Sequence, residues 1–188
     1  RKSNPTLQWN STALQSFTSH CPINSSELDV QIPVRVNSVK RLMTTMSSVA
    51  AQNSGAQNID THSRSRNNLA TYRHRINGEL RPSRPVEATE EAWYRMLSAN
   101  HSYGHCPKTL ITTSTYTEND DTNGTGTAVY AYDGDRISNK SGVAFAGVST
   151  VSAPPHVLLT FGNGGATAAC TIHNTAEYDV VLSIQNGV

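Results

Sequence analysis

The sequence predicts an all-β fold, an antiparallel eight-stranded jelly-roll sandwich with one flanking α-helix at about residues 89–99. Three observations predict it. Apolar and polar residues alternate with period two over Leu28–Val36 and again over Leu69–Ile76, the mark of half-buried strands. Short strand-like runs recur along the chain with Gly, Pro and Asn turn signals between them, as in a sandwich or barrel. A single amphipathic helix stands amid these strands, so repeating strand–helix–strand units are not expected.

The totals fit one barrel. A chain of 188 residues suits a single domain that buries roughly 70% of its unfolded surface. Residues 1–188 are therefore expected as one jelly-roll domain, with 1–27 an extended arm or a first strand. Fifteen basic residues against 14 acidic ones leave a net charge of +1, too little for a general nucleic-acid binder. Solubility has to come from Ser, Thr and Asn, which suit turns and exposed strand faces more than helix interiors. Cys21, Cys106 and Cys170 are odd in number and widely spaced, so buried reduced thiols are expected rather than a disulfide framework or a zinc site. No apolar run reaches the roughly 20 residues that a membrane helix needs. Sequons occur at Asn10, Asn24, Asn100, Asn123 and Asn139, and matter only in a secretory compartment.

Along the chain, Leu28, Val30, Ile32, Val34 and Val36 share one face of the first clear strand. Pro33 on its polar face cannot donate to a ladder, which predicts an edge or a bulge there. Ser38–Met43 continues extended, with Met43 and Met46 as core fillers, and residues 47–68 read as a long surface loop. Leu69–Ile76 then places Tyr72, His74 and Ile76 on one face and Thr71, Arg73 and Arg75 on the other. Asn77-Gly78 is the favoured pair for a type I′ hairpin, because both residues take positive φ. Leu80–Val86 returns, cut short by Pro82 and Pro85.

The helix puts Ala92, Trp93, Met96 and Leu97 on one stripe, with Glu87, Glu90 and Glu91 at its start, the sign the helix dipole favours. Beyond it, strands are expected at Leu110–Tyr116, Val129–Tyr132, Gly142–Val151, Val157–Phe161, Ala166–Ile172 and Tyr178–Ile184. Asn163-Gly164-Gly165 is a turn.

Few constellations suggest chemistry. His101, His105 and Cys106 have metal-ligand side chains, but Gly104 and Pro107 break the helix that their spacing would need. Asp120-Asp121-Thr122-Asn123-Gly124 lacks the terminal bidentate Glu of a calcium loop. Gly162-Asn163-Gly164-Gly165 leads into a strand, so no helix N-terminus is there to hold phosphate. No G-x-S-x-G elbow is present. No catalytic residue, metal or cofactor is expected. Six arginines (Arg64, Arg66, Arg73, Arg75, Arg81 and Arg84) face one acid, Glu79, between residues 64 and 84. Pairing of this ladder with the acidic helix start or a neighbouring subunit is favoured over nucleic-acid binding, because aromatic platforms are missing.

The order of these elements resembles a known family. Ile32-Pro-Val-Arg-Val-Asn-Ser-Val-Lys-Arg-Leu42 precedes Tyr72-Arg-His-Arg-Ile-Asn-Gly78, then Pro82-Ser-Arg-Pro-Val86 and the helix with Trp93. The chain closes with Lys140-Ser-Gly-Val-Ala-Phe-Ala-Gly-Val-Ser-Thr150 and Glu177-Tyr-Asp-Val-Val-Leu-Ser-Ile-Gln-Asn-Gly187. Over about residues 28–187 this resembles the C-terminal barrel of double jelly-roll major capsid proteins of the polinton, virophage and large eukaryotic DNA virus lineage. The resemblance implies a capsid subunit in the virion, building trimeric or pseudo-hexameric capsomers of an icosahedral shell with other capsid chains, without cofactor or catalysis. Arg73, Arg75, Asn77, Gly78, Pro82, Pro85 and Trp93 are the structural or interface residues it points to. Family members carry two barrels and this chain has length for one, so a fragment, a cleavage product and a single-barrel relative all remain open, as does a separate first-barrel chain.

Two other classes compete. A carbohydrate- or receptor-binding β-sandwich would present aromatic side chains, which make up only 6% here. A hydrolase on a β-scaffold would need a nucleophile, a His and an orienting carboxylate brought together by the fold.

Overall fold

The computed structural model describes residues 6–49, 64–87, 89–99, 116, 128–134 and 147–185. Among them the elements are β1 (Thr6–Cys21), β2 (Glu27–Gln31), β3 (Val39–Ser48), β4 (Leu69–Ile76), β5 (Glu79–Val86), α1 (Thr89–Ala99), β6 (Tyr130–Asp133), β7 (His156–Phe161) and β8 (Cys170–Gln185). They form two four-stranded antiparallel sheets, ordered β1-β8-β3-β6 and β2-β7-β4-β5. The first strand pairs with the last, the second with the seventh, the third with the sixth and the fourth with the fifth. Pairings of β3 with β8 and of β4 with β7 complete the roll. This nested hairpin of eight strands is the jelly roll that the sequence predicts.

Period-two alternation decides what fills it. Val30, Leu42, Thr44, Met46, Leu69, Tyr72, His74, Ile76, Val157, Leu159, Phe161, Ile172, Asn174 and Ala176 all turn inward and are buried. Two adjoining apolar clusters result, one around Met46, Tyr72, Leu159 and Ile172, the other around Ile32, Val34, Leu42 and Ile76. Each large apolar side chain so buried stabilises the fold by about 1.5–3 kcal/mol.

The helix forms where its stripe predicts. Ala92, Met96 and Ala99 are buried, and Trp93 and Leu97 pack half-buried against the first cluster. Glu90 and Glu91 occupy the first turn, while the last turn holds no basic residue. Arg41 of β3 supplies the missing cation: its Nη1 donates to the Ala99 carbonyl at 3.0 Å, satisfying one orphan acceptor of the helix end. At the hairpin, Asn77 and Gly78 take φ of 52° and 82° between paired Ile76 and Glu79, as a type I′ turn requires.

Several expectations change. The ladder of β2 stops at Gln31, before Pro33; Ile32 N–H instead donates to the Pro155 carbonyl at 2.8 Å and Val36 N–H to Thr150 Oγ1 at 3.1 Å. The buried alternation nevertheless continues through Ile32 and Val34. Pro82 and Pro85 do not shorten the return strand. β5 lies at a sheet edge, where missing donors cost nothing, and a bulge between Tyr72↔Val86 and His74↔Arg81 absorbs the irregularity. The strand expected at 166–172 begins only at Cys170, and it runs on through 178–184 as one strand, β8. Of Gly142–Val151, the described residues from 147 onward contribute an isolated bridge, Val148 to Val39. Of Leu110–Tyr116, Tyr116 alone is described; it is buried and its hydroxyl donates to the Val129 carbonyl at 2.7 Å.

The expected surface loop 47–68 is also corrected at both ends. Ser47 and Ser48 belong to β3, and Asn67 is buried. Asn67 Nδ2 donates to the Ala168 carbonyl at 3.0 Å and to Cys170 Sγ at 3.2 Å, and its Oδ1 accepts from Thr167 Oγ1 and Ala168 N–H, both at 2.9 Å. One amide side chain thus ties the approach to β4 to the start of β8. Asn67→Ala is expected to lower stability by about 2–3 kcal/mol in urea unfolding, since buried partners lose their hydrogen bonds.

His74 adds a pH dependence. It lies between Tyr72 and Tyr132, with ring centroids 5.8 and 5.6 Å away, and its Nε2 is buried without a hydrogen-bond partner among the described residues. Burial, helped by the Arg95 charge, pushes its pKa down from 6.5 to about 3. Below pH 6.5 the unfolded chain takes up a proton that the folded barrel refuses until about pH 3, so stability falls through that window as pH falls. Denaturation curves should show this loss in the wild type and a flatter profile in His74→Leu. An unchanged profile would assign the acid sensitivity to other groups.

Candidate assembly surfaces

Arg73 and Arg75 project from the outer face of β4, opposite buried Tyr72 and His74, as the alternation predicts. Arg75 reaches across β7 to β2, where its Nη2 donates to Asp29 Oδ2 at 2.6 Å; His156 Nδ1 stands 2.6 Å from Asp29 Oδ1 and 3.1 Å from Arg75 Nη2. Arg73 shares a shallow depression of about 270 Å³ with Glu27, Asp29, Thr71 and Thr160. The acidic helix start holds Arg84, whose Nη2 lies 3.3 Å from Glu91 Oε2. Arg81 pairs with Glu79 at 2.7 Å, and Arg66 Nη1 donates to Thr89 Oγ1 at 2.8 Å. Carboxylates within the chain therefore answer Arg75, Arg81 and Arg84.

The predicted interface residues do not converge on one site. Arg73 and Arg75 occupy a sheet face, Asn77 and Gly78 a hairpin tip, Pro82 and Pro85 a sheet edge. Trp93 turns inward against the core.

Nor is a catalytic or metal site assembled among the described residues. Among the described residues no group of three His, Cys, Asp or Glu side chains could hold a metal ion. Ser47 Oγ lies 2.9 Å from His173 Nε2, and burial together with Arg64 depresses the pKa of that imidazole. No carboxylate among the described residues orients its other nitrogen, so the third member of a nucleophilic triad is lacking there. The His101, His105 and Cys106 group, like the Asp120-Asp121 segment, lies outside the described residues.

The surface that sequence reasoning missed is the β1/β8 ribbon. β3 pairs with β8 only as far as Tyr178, whereas β1 pairs with it through Gln185. Thr6–Thr12 and Asp179–Gln185 therefore run on as a two-stranded ribbon. Trp9 faces Leu182 and Ser11 faces Val180 on the side that lower down carries the buried Ile172 and Ala176. Trp9 is 67% exposed and Leu182 58%. On the opposite side Leu14 and Val181 are also exposed. β1 is moreover an edge strand, and its sixteen residues include no Asp, Glu, Lys, Arg, Pro or Gly. Edges of soluble sheets are usually blunted by such residues.

Buried charges fasten the ribbon's root. Lys40 Nζ lies 3.1 Å from Asp179 Oδ1, and Ser38 Oγ donates to Asp179 Oδ2 at 2.6 Å. Arg41 Nε bonds Glu177 Oε2 one pair lower. A bulge between Val39 and Arg41 lets consecutive cations meet these two acids.

No protein-family model and no curated protein matches the sequence. Solved structures do match its shape. The quasi-atomic model of the PBCV-1 virus capsid superposes with TM-score 0.60 at 12% identity, covering 98% of this chain and 51% of that one. The major capsid protein P2 of bacteriophage PM2 gives TM-score 0.50 at 10% identity, over 95% of this chain and 47% of that one. The Faustovirus major capsid protein gives 0.51 at 8%, over 96% and 34%. The chain has the fold of a capsid-protein barrel. It spans about half the length of the PBCV-1 capsid chain.

The two kinds of ion pair should separate on mutation. Lys40→Met takes the cation from a carboxylate that is 4% exposed and is expected to cost about 3–5 kcal/mol. Arg75→Ala breaks a half-exposed pair and is expected to cost less than about 1 kcal/mol. Chemical denaturation of both variants checks the contrast.

Proposed function

We propose that this chain is a virion shell subunit, a single jelly-roll barrel that associates with copies of itself or with a sister barrel into trimeric or pseudo-hexameric capsomers of an icosahedral capsid. Its role in this reading is structural, without catalysis or cofactor. The observation that carries the reading is the β1/β8 ribbon on a barrel of capsid type. A two-stranded ribbon with apolar side chains on both sides is marginal in water by itself. It becomes stable once a further layer covers it, and exposed apolar groups rimmed by polar residues mark protein contacts. The neutral edge of β1 supports the same reading, since a strand without charges meets a second strand without like-charge repulsion. Arg73 and Arg75, with Glu27 and Asp29 beside them, add a polar patch of mixed charge on the other sheet that suits a polar surface of a neighbouring barrel.

Light scattering and electron microscopy of the purified chain, alone and with any sister chain, should show trimers or larger closed assemblies. Trp9→Lys with Leu182→Lys should shift the population to monomer while leaving the circular dichroism of the barrel intact. Arg73→Ala with Arg75→Ala should weaken association and leave DNA retention unchanged. A wild-type chain that stays monomeric at high concentration, with or without a sister chain, would sink the reading.

A further inference from the structure

Cys21 and Cys170 lie directly opposite each other across the β1/β8 ladder, as the last residue of one strand and the first of the other. Both are fully buried and both are thiols. We propose that this pair is a site of disulfide formation that locks the edge strand β1 onto β8 when the protein meets an oxidising disulfide such as oxidised glutathione.

The geometry suits the bond. Directly opposed residues of an antiparallel pair have Cα atoms about 4.5–5.5 Å apart and side chains on the same face, within the ~4.4–6.8 Å that a disulfide spans. The two sulfurs are close enough to hydrogen-bond, and that contact holds the Cys21 thiol below its ordinary range against the opposing effect of burial. Asn67 Nδ2, donating to Cys170 Sγ at 3.2 Å, stabilises developing negative charge on the second sulfur. Buried thiols resist oxidants until their element opens, but strand ends open most readily. Pro22 follows Cys21 at once, so the ladder has no donor there to hold the end closed.

The exchange balances without another reactant. The Cys21 thiol gives its proton to solvent, and its thiolate attacks one sulfur of oxidised glutathione, releasing a glutathione thiolate. The Cys170 thiol, deprotonated in turn, attacks the Cys21 sulfur of that mixed disulfide and releases the second glutathione thiolate. Two cysteine thiols are oxidised while one glutathione disulfide is reduced to two thiols. The consequence follows from topology. Within the described sheet β1 is held by β8 alone, so in the reduced state it can peel away or exchange into another barrel. The bond closes a loop over most of the chain and removes that freedom.

The purified full-length chain, equilibrated in glutathione buffers from fully reduced to fully oxidised, tests this by non-reducing peptide mapping and thermal melts. The expected result is a peptide linked through Cys21 and Cys170, a loss of two hydrogens in intact mass, and a rise in Tm of roughly 5–15 °C on oxidation. Cys106→Ser should keep the linkage and the rise, and Cys21→Ser and Cys170→Ser should each abolish both. Peptide mapping of the wild type stands even if either serine variant fails to fold. Glutathione adducts alone, links through Cys106 alone, or recovery of both thiols from the oxidised buffer would each overturn the proposal.

Discussion

The architecture depends on β8 being hydrogen-bonded along both of its sides. It is the last of the described strands, and among them it alone joins the first strand, β1, to the rest of its sheet, through β3. Its inward residues Ile172, Asn174 and Ala176 floor the sandwich, and its charged Glu177 and Asp179 meet Arg41 and Lys40 of β3. Arg41 in turn reaches the carbonyl end of α1. Sheet, helix and ribbon therefore share one anchoring region around residues 174–179. Breaking it releases three elements together, which makes the core cooperative although it comprises two apolar clusters.

Polar groups inside the barrel set its register more than its stability. Thr44 Oγ1 donates to Asn174 Oδ1 at 2.7 Å, while Asn174 Nδ2 is buried without a partner among the described residues. An apolar pair of the same shape would avoid that unmet donor. What the amide adds is alignment: a one-residue slip of β3 against β8 would break this bond and both charged pairs at once. Lys40, Arg41, Glu177 and Asp179 thus fix how far β8 runs beyond β3, and so the length of the ribbon.

Much of this was legible in the sequence, and the remainder has identifiable causes. The alternation over Leu28–Val36, the strand Leu69–Ile76 and the turn Asn77-Gly78 were readable because alternation and positive φ are local properties written in consecutive residues, although the ladder of the first stops at Gln31. The continuity of β8 was hidden by Asn174-Thr175 and Glu177, which break the apolar run; their partners Thr44 and Arg41 are distant in sequence. The burial of Asn67 was hidden the same way, its partners lying about a hundred residues onward. For β1, an extended arm and a first strand could not be told apart from the sequence, for another reason. Its core-side positions Trp9, Ser11, Ala13, Gln15, Phe17, Ser19 and Cys21 are only partly apolar, because most of that face is not covered within the barrel. Of the residues singled out for the interface, Arg73 and Arg75 do face outward, while Trp93 serves the core.

That failure of local reading is informative about assembly. A strand that only completed a sheet would need an apolar inner face along its length or charges along its free edge, and β1 has neither. Its pattern combines neutral polar residues, which keep a lone barrel soluble, with a few large apolar groups, Trp9 and Leu14, set on opposite faces. Such a surface is too polar for a permanent core and more apolar than an ordinary exposed edge, which is the balance that the proposed shell subunit would need. In the proposed assembly the ribbon is half of a structure whose other half belongs to the next barrel, and the irregular composition of β1 suits both the covered and the uncovered state.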